Sequence, residues 1–437
     1  MGAGQDLYRR AKHLIPGGTQ LLSKRPEMFL PEQWPSYYAK AKGAEVWDLD
    51  GTKYVDMTHF GVGACILGHA DDDVDAAAQS AIARGVMSTL NCPEEVELAE
   101  LLLELHPWAE MVRYSRCGGE VMAMAVRIAR AATGRDKVAF CGYHGWHDWY
   151  LSSNLADDRA LDGHLLAGLE PAGVPRGLTG TMLPFKYNDI GAFRTIMADH
   201  GPSIAAVVME PSRSHGPAPG FLEEIRATSR SAGVVLIFDE VTSGFRQNCG
   251  GIHLRYGVRP DLAAFAKGMS NGYAMAALIG VREVMQAAQR SFISSTYWTE
   301  RIGPSAALAT IRKHRDHDVA AHLSNVGERV QAGWRRAADL AGLAVDVGGI
   351  PALSHFSFQV QQAAAAMTLF TQSMLARGFL AGGSLYASYA HKEEHLTAYL
   401  TACNAVFQEI AAAVRQGRLE QSLRGPVKHG GFQRLAD

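Results

Sequence analysis

The chain has 437 residues, of which 47% are apolar and 20% are charged. A chain of this length can bury a large core and form two or three domains, which excludes a disordered tail or a miniprotein. The 42 Lys and Arg residues balance the 44 Asp and Glu residues, so no broad basic surface is expected for nucleic acid or an anionic membrane.

The amino-terminal residues are polar, and no run approaches the ~18 apolar residues that a membrane span needs. The six cysteines are scattered without a Cys-x-x-Cys pair, which disfavours a disulfide framework and a zinc knuckle. We therefore expect a soluble, cytoplasmic protein with reduced thiols and with no nucleic-acid or membrane partner.

The chain reads as three successive regions. Residues 1–60 are broken by prolines up to an alternating stretch that holds an Asp50-Gly51 turn, which predicts an arm and a small antiparallel unit. In residues 61–310, short apolar runs alternate with amphipathic segments, an order typical of a mostly parallel sheet flanked by helices. Residues 311–437 combine long helical patterns with short strands, which predicts a smaller α+β domain.

Four apolar runs of the middle region have the length and composition of buried strands. They are Lys137 to Cys141, Ile204 to Met209, Val234 to Phe238 and Leu262 to Ala266. Ligands of open parallel sheets bind at the carboxyl ends of the strands, so the polar residues that directly follow these runs form the candidate site. Those residues are Tyr143, His144, Glu210, Asp239 and Lys267.

Lys267 is the most informative of these residues. It ends a run so apolar that desolvation should lower its pKa, and a neutral amine is a nucleophile toward carbonyls, pyridoxal phosphate included. A lysine in this place can also simply extend its amine to water. A buried carboxylate at Asp239 needs a cation or a strong donor, such as a pyridinium nitrogen, although Asp239 can equally begin a helix as its N-cap.

Further candidate positions surround these two residues. Cys117-Gly118-Gly119-Glu120 precedes a helical stretch and offers backbone N–H groups to a phosphate, or only a tight turn. Tyr143 can stack on a flat ring or pack in the core. His144 and His147 are three residues apart, but no third ligand accompanies them, so we expect no metal site.

Two motifs, Phe238 to Arg246 and Phe265 to Gly272, resemble the signature of class III pyridoxal-phosphate aminotransferases of fold type I. The resemblance is nearest to the glutamate-1-semialdehyde aminomutase group and covers almost the whole chain. It implies an α/β fold with a mostly parallel, seven-stranded-type sheet and a smaller α+β domain. Its other matching motifs are Pro16-Gly17-Gly18, Gly43 to Gly51, Gly118-Gly119-Glu120, Tyr143-His144-Gly145, Glu210-Pro211 and Gly303-Pro304.

The resemblance also implies a role for individual residues. Lys267 would form a Schiff base with pyridoxal 5'-phosphate and shuttle protons, and Asp239 would face the ring nitrogen. Val241 would lie beneath the ring and Tyr143 above it. The remaining implied cofactor-binding residues are His144, Glu210 near the phenolic oxygen, Gly118 and Gly119 at the phosphate, and Thr299, or its rival Thr296, at the phosphate of a neighbouring subunit.

Phosphate binding from two chains would make the protein a homodimer with shared active sites. The chain departs from the family pattern at Cys117 and Gly119, where hydroxyl residues are usual, and at Ser295 to Arg301, which is bulkier and more aromatic. Arg25 is the nearest candidate for binding a substrate carboxylate, or it is a solvated charge on the arm.

The expected activity is the transfer of an amino group from an amine or amino acid to a keto or aldehyde acceptor by a ping-pong mechanism. An intramolecular aminomutase uses the same residues and is the alternative. A cofactor-binding protein without catalysis is a third possibility. The aromatic loop disfavours glutamate semialdehyde as the substrate, and the amino donor is otherwise left open.

Overall fold

The computed structural model describes residues 2–162, 164, 168–212 and 214–430. The chain divides into two compact units: Met1–Asp71 with Ala321–Asp437, here the terminal unit, and Asp72–Ala320, here the sheet unit. The strands, in chain order, are β1 Tyr38–Lys42, β2 Glu45–Asp48, β3 Lys53–Met57, β4 Met111–Ser115, β5 Lys137–Cys141, β6 Met182–Pro184, β7 Ile204–Met209, β8 Val235–Asp239, β9 Leu262–Phe265, β10 Ala276–Gly280, β11 Val345–Gly348, β12 Leu353–Phe358, β13 Phe379–Ala381 and β14 Ser384–Tyr386.

The helices follow in the same order. They are α1 Ala3–Leu14, α2 Phe60–Gly63, α3 Asp72–Ala83, α4 Glu94–Leu105, α5 Gly118–Thr133, α6 Asp148–Leu151, α7 Ile190–His200, α8 Phe221–Ser231, α9 His253–Tyr256, α10 Arg282–Met285, α11 Ile302–Asp316, α12 Val319–Ala341, α13 Ala363–Leu375 and α14 Glu393–Arg415. Within the described residues, no helix combines the length and apolar character that crossing a membrane requires.

The sheet unit is built on a seven-stranded sheet of order β4-β10-β9-β8-β7-β5-β6. Strands β9, β8, β7, β5 and β6 run parallel to one another, whereas β10 is antiparallel to both β9 and β4. The predicted α/β fold with a mostly parallel sheet is therefore confirmed, and the four apolar runs are β5, β7, β8 and β9. The antiparallel β10 was not predicted, because its composition resembles that of its neighbours.

Both faces of this sheet are buried, which explains why its strands are continuous apolar runs instead of alternating ones. Successive residues of β8 point to opposite faces: Ile237 joins the core under α5, and Phe238 joins the core under α7 and α8. Helix α5 contributes Ile128 to the first core, and α8 contributes Ile225 to the second.

The terminal unit contains two smaller sheets, of order β1-β2-β3-β13 and β11-β12-β14. The predicted turn at Asp50-Gly51 joins the antiparallel strands β2 and β3, and Gly51 has a φ of 82°. Nε2 of the partly buried His69 lies 3.2 Å from Asp56 Oδ2. Burial alone would lower the pKa of His69, but hydrogen bonds and charge at Asp56 and Cys65 raise it to about 9.

Candidate active site

The candidate residues lie at one edge of the large sheet. Because β5, β7, β8 and β9 are parallel neighbours, their carboxyl ends share that edge. His144 follows β5, Glu210 follows β7, Asp239 ends β8, and Lys267 lies two residues beyond β9. Topology thus collects side chains that are up to 123 residues apart, from position 144 to position 267.

Asp239 and His144 form a buried pair at the centre of this edge. His144 Nδ1 lies 2.8 Å from Asp239 Oδ2, and the other ring nitrogen, Nε2, lies 3.1 Å from the carbonyl oxygen of Cys141. That carbonyl only accepts, so Nε2 must donate, and the Nδ1–Oδ2 contact needs a second proton, which the pair shares. The backbone N–H of Val241 donates to Asp239 Oδ1 at 3.0 Å, so both carboxylate oxygens are fixed.

Lys267 lies at the same sheet edge, at the start of a 3₁₀ turn after β9. Its backbone has a φ of 46°, a left-handed conformation that is uncommon for a residue with a side chain and often occurs at functional sites. Its Nζ donates to Thr242 Oγ1 at 2.9 Å. Thr242 follows Val241 in the same loop as Asp239, so the amine and the carboxylate are presented from adjacent strands.

The amino terminus of helix α5 faces the same loop. A Cβ atom on Gly118 would lie 3.0 Å from Val241 Cγ1, so the backbone of Gly118 packs directly on Val241. Glu120 Oε2 accepts from the N–H groups of Arg116 and Cys117, at 2.9 and 3.0 Å, and fixes the start of the helix. The N–H groups of Gly118 and Gly119 have no carbonyl one turn earlier, so they are donors for an anion.

Glycines let the loop after β5 approach the site closely. Gly142 has a φ of 111°, and a Cβ atom there would lie 2.8 Å from Glu210 Oε2. Glu210 Oε2 also accepts from the N–H of Tyr143 at 3.3 Å. The half-buried ring of Tyr143 packs edge-on against Tyr150, with ring centroids 6.0 Å apart. This loop therefore carries Tyr143 and His144 on a backbone that Glu210 holds.

His147 lies against the other glycine of the helix terminus. A Cβ atom on Gly119 would lie 2.8 Å from His147 Cε1 and 2.9 Å from its Nδ1. The imidazole is also stacked on Trp146, with ring centroids 4.6 Å apart. Burial lowers the pKa of His147, against the opposing effect of the carboxylates of Glu120 and Asp148.

The remaining predicted residues are Thr296, Thr299 and Arg25. Thr296 and Thr299 are exposed and begin and end a 3₁₀ turn, in which Thr299 Oγ1 donates to the carbonyl of Thr296 at 3.0 Å. Trp298 of the same turn donates to Glu120 Oε2 at 3.3 Å. Arg25 belongs to the terminal unit, where its guanidinium covers Gly17.

Glu240 follows Asp239 but lies in a different environment. It is fully buried, and its Oε1 accepts from both the backbone N–H and the Nδ1 of His253, at 2.9 and 2.8 Å. Ser243 donates to its Oε2 at 2.6 Å, and Trp108 donates to His253 Nε2 at 2.9 Å. Burial alone would raise the pKa of Glu240, but the bonds from His253 and Ser243 lower it.

The family model for "Aminotransferase class-III" matches residues 31–385. The chain belongs to this family. Two curated relatives support the assignment. The 3-aminobutyryl-CoA aminotransferase of Cloacimonas acidaminovorans (strain Evry) is 32% identical over 83% of this chain and 85% of the relative. The 2'-deamino-2'-hydroxyneamine transaminase of Streptomyces kanamyceticus is 33% identical over 75% of this chain and 79% of the relative.

A solved structure supports the fold of this class-III aminotransferase. The FumI protein of Sphingopyxis sp. MTA144, solved in a form that carries PLP, has a TM-score of 0.85 and 24% identity, over 94% of this chain and 97% of that chain. The predicted fold type I is thereby confirmed. The protein is a PLP-dependent aminotransferase that acts on a small-molecule amino donor and a carbonyl acceptor.

The residues at the sheet edge fit pyridoxal 5'-phosphate. They provide a lysine amine, an oriented buried carboxylate, and glycine N–H groups for an anion. Sequence reasoning did not single out Thr242 as the partner of Lys267 or Glu120 as the residue that fixes the start of α5. It also did not indicate that His147 lies against Gly119. Thr242 stands within the Phe238 to Arg246 motif, so a search for hydroxyls near the lysine could have found it.

Proposed function

We propose that Lys267 bonds covalently to the cofactor and moves the proton on the amine-bearing carbon of the substrate. The observation that carries this proposal is the position of the Lys267 amine, 2.9 Å from Thr242 Oγ1, at the same sheet edge as the buried Asp239 carboxylate. When bound, the cofactor supplies a conjugated ring that takes up the electron pair left by this proton.

Asp239 is assigned to the ring nitrogen. A buried carboxylate needs a cationic or strongly donating partner, and a protonated ring nitrogen is one. His144 and the N–H of Val241 hold the two oxygens in place, at 2.8 and 3.0 Å, so the negative charge is oriented before any ligand arrives. His144 thus acts through Asp239 as a positioning residue.

Lys267 is assigned to proton transfer because its amine is anchored at the same sheet edge as this carboxylate. The Thr242 hydroxyl gives Nζ a fixed direction, and proton transfer requires the donor and acceptor to be within hydrogen-bond reach. With the cofactor held at this edge, the Lys267 amine would act as the general base toward the proton on the amine-bearing carbon. It returns the proton when the acceptor carbonyl is converted to an amine.

The other residues bind and orient. Gly118 and Gly119 are assigned to the phosphate through their N–H groups at the start of α5. Val241, which packs on Gly118, is assigned to the face beneath the ring, and Tyr143 to the opposite face. Glu210 holds the loop of Tyr143 and is assigned to the region of the phenolic oxygen.

The experiment is a panel of amino donors mixed with the purified holoenzyme, followed by the absorbance of the cofactor. Productive donors should convert it to its amine form, and a carbonyl acceptor should restore the original spectrum, as a ping-pong mechanism requires. Lys267→Ala should abolish this cycle. The proposal is wrong if Lys267→Ala turns over at the native rate, or if no donor changes the spectrum.

The donor is proposed to be a primary amine, with a keto or aldehyde acceptor. The two named relatives are described by very different amines, a 3-aminobutyryl-CoA and a neamine derivative. The panel should therefore include α-amino acids, β-amino acids and their thioesters, and amino sugars. A donor that reacts at least about tenfold faster than the others, or about 1.4 kcal/mol, identifies the substrate class.

An intramolecular aminomutase remains the second reading of these same residues. The observation that bears on it is the 295–301 loop, in which Tyr297 is 69% exposed and Trp298 is half-buried. An aminomutase must retain a small intermediate, and bulky side chains of this kind would help to enclose it. Turnover of an amine in the absence of any acceptor distinguishes the two. Steady isomerisation without an acceptor would favour the aminomutase.

A homodimer with shared active sites is proposed for the assembly. Thr296 and Thr299 are exposed hydroxyls in a segment rich in exposed aromatic side chains, with Phe292 86% exposed and Tyr297 69% exposed. A second copy that covers these side chains would place Thr299, or Thr296, at the phosphate of its partner. Mixing Lys267→Ala with Thr299→Ala protein should then restore activity through hybrid dimers, and a fully active monomer would contradict the proposal.

A cytoplasmic location is proposed from the thiols. All six cysteines lie in the described part of the chain and are free, and Cys117 is exposed. Free thiols persist in a reducing compartment. Cell fractionation with an antibody to the native protein tests this location.

A further inference from the structure

We infer that His147 is a phosphate-binding residue of the cofactor site, in which its Nδ1 replaces the side-chain hydroxyl that the helix terminus lacks. This inference rests on the proposed function, since it presupposes that the phosphate binds at Gly118 and Gly119. It concerns a residue that the sequence pattern assigned to no role.

The first argument is the composition of the helix terminus. Cys117, Gly118 and Gly119 carry no hydroxyl group, so their contribution to an anion is limited to backbone N–H groups. A doubly charged phosphate has more acceptor oxygens than two such donors can satisfy. An additional side-chain donor is therefore expected from a neighbouring element.

The second argument is the position of the His147 ring. The ring fills the space that a side chain at position 119 would enter, since a Cβ atom there would be 2.8 Å from Cε1 and 2.9 Å from Nδ1. Gly145 permits this approach: it has a φ of 102°, and a Cβ atom on it would lie 3.1 Å from Gly119 Cα. The His147 ring thus occupies the space that a larger side chain at position 119 would fill.

The third argument is an unsatisfied atom. His147 Nδ1 is buried and has no hydrogen-bond partner among the described residues. A buried polar nitrogen without a partner is costly, whichever tautomer the ring adopts. An anion held at the N–H groups of Gly118 and Gly119 would supply an acceptor beside it and select the Nδ1–H tautomer. Trp146, stacked on the ring at 4.6 Å, keeps the imidazole in this orientation.

The test compares two cofactors that differ only in the phosphate. The full-length chain is freed of cofactor and titrated with pyridoxal 5'-phosphate or with pyridoxal, and binding is followed by absorbance. His147→Ala should weaken pyridoxal 5'-phosphate by about ten- to a hundredfold, the range for a hydrogen bond to a charged group, and should leave pyridoxal within about twofold. His200→Ala, at the opposite end of the sheet strands, is the control and should change neither.

A second pair of variants keeps the inference falsifiable if the alanine variant is merely less stable. Gly119→Ser alone should weaken pyridoxal 5'-phosphate binding, because its Cβ collides with His147. The double variant Gly119→Ser/His147→Ala should recover most of the native affinity, since the serine hydroxyl then occupies the vacated space.

The outcomes separate the inference from the function on which it rests. Equal weakening of both cofactors by His147→Ala, or no weakening of either, would overturn the phosphate role. So would a double variant that is weaker than both single variants. Failure of the native protein to bind pyridoxal 5'-phosphate at all would instead contradict the proposed function.

Discussion

Asp239 and Glu240 are adjacent buried carboxylates, and the account predicts opposite consequences for neutralising each. In Asp239→Asn, the amide oxygen can still accept from the Val241 N–H, and the amide nitrogen can donate to His144 Nδ1 once that ring is neutral. The variant therefore keeps two hydrogen bonds in place of those seen at 2.8 and 3.0 Å. The variant loses the negative charge together with the proton that His144 shares with it, so the folded state should be weakened by no more than about 1 kcal/mol.

The catalytic effect should be much larger. Two unit charges in contact at about 4 Å, in the effective dielectric constant of about 20 that suits buried sites, attract by about 4 kcal/mol. Losing this attraction when the ring must accept electrons corresponds to about a thousandfold decrease in kcat. Glu240→Gln should instead lower the free energy of unfolding by about 1–2 kcal/mol, because three bonds to a charged group become bonds to a neutral one.

Two measurements are made on each variant. Stopped-flow absorbance gives the rate of the amino-donor reaction, and urea unfolding gives the free energy of unfolding. Asp239→Asn should be stable and nearly inactive. Glu240→Gln should be less stable, and its folded fraction should react at close to the native rate. The assignment is refuted if Asp239→Asn keeps kcat within tenfold of the native enzyme, or if Glu240→Gln alone abolishes the reaction.

Three further predictions test other parts of the molecule. The pKa of His69 is raised to about 9 in the folded state. The stabilisation from protonated His69 should therefore be complete below about pH 6.5 and lost as the pH rises through 9. His69→Gln should flatten this part of a plot of Tm against pH. Gly142→Ala should lower stability by roughly 1–3 kcal/mol in thermal unfolding, and more than Gly134→Ala, which also has a positive φ but open space around it. Thr242→Val should slow proton transfer roughly tenfold while Lys267 stays bonded to the cofactor, as a deuterium isotope effect on the donor would show.

The amino-acid sequence predicted the central sheet because its strands are buried on both faces. Such strands are long apolar runs, and the polar residue after each run marks the carboxyl edge regardless of how the strands are ordered. The order itself, with β9 beside β8 and β10 antiparallel between β9 and β4, depends on pairing between distant segments. Nothing in the local composition of Ala276–Gly280 indicates its direction.

The site was predicted where residue type alone limits the chemistry, as at Lys267 and Asp239. It was not predicted where a role depends on which side chains meet in space. His147 illustrates this, since only the folded loop after β5 brings its ring against Gly119. Glu240 shows the same limit: its position next to Asp239 in the sequence predicts that it points the other way and has no chemical role, but only the fold shows that it bonds to His253.

Reduction of the holoenzyme with borohydride, followed by proteolysis and mass spectrometry, shows which lysine bonds to the cofactor. A covalent bond between the cofactor and a lysine becomes irreversible under this treatment. The account predicts one modified peptide, carrying the mass of the reduced cofactor on Lys267, and no such peptide from Lys267→Ala. Modification of a different lysine, or none in protein that binds the cofactor, would contradict it.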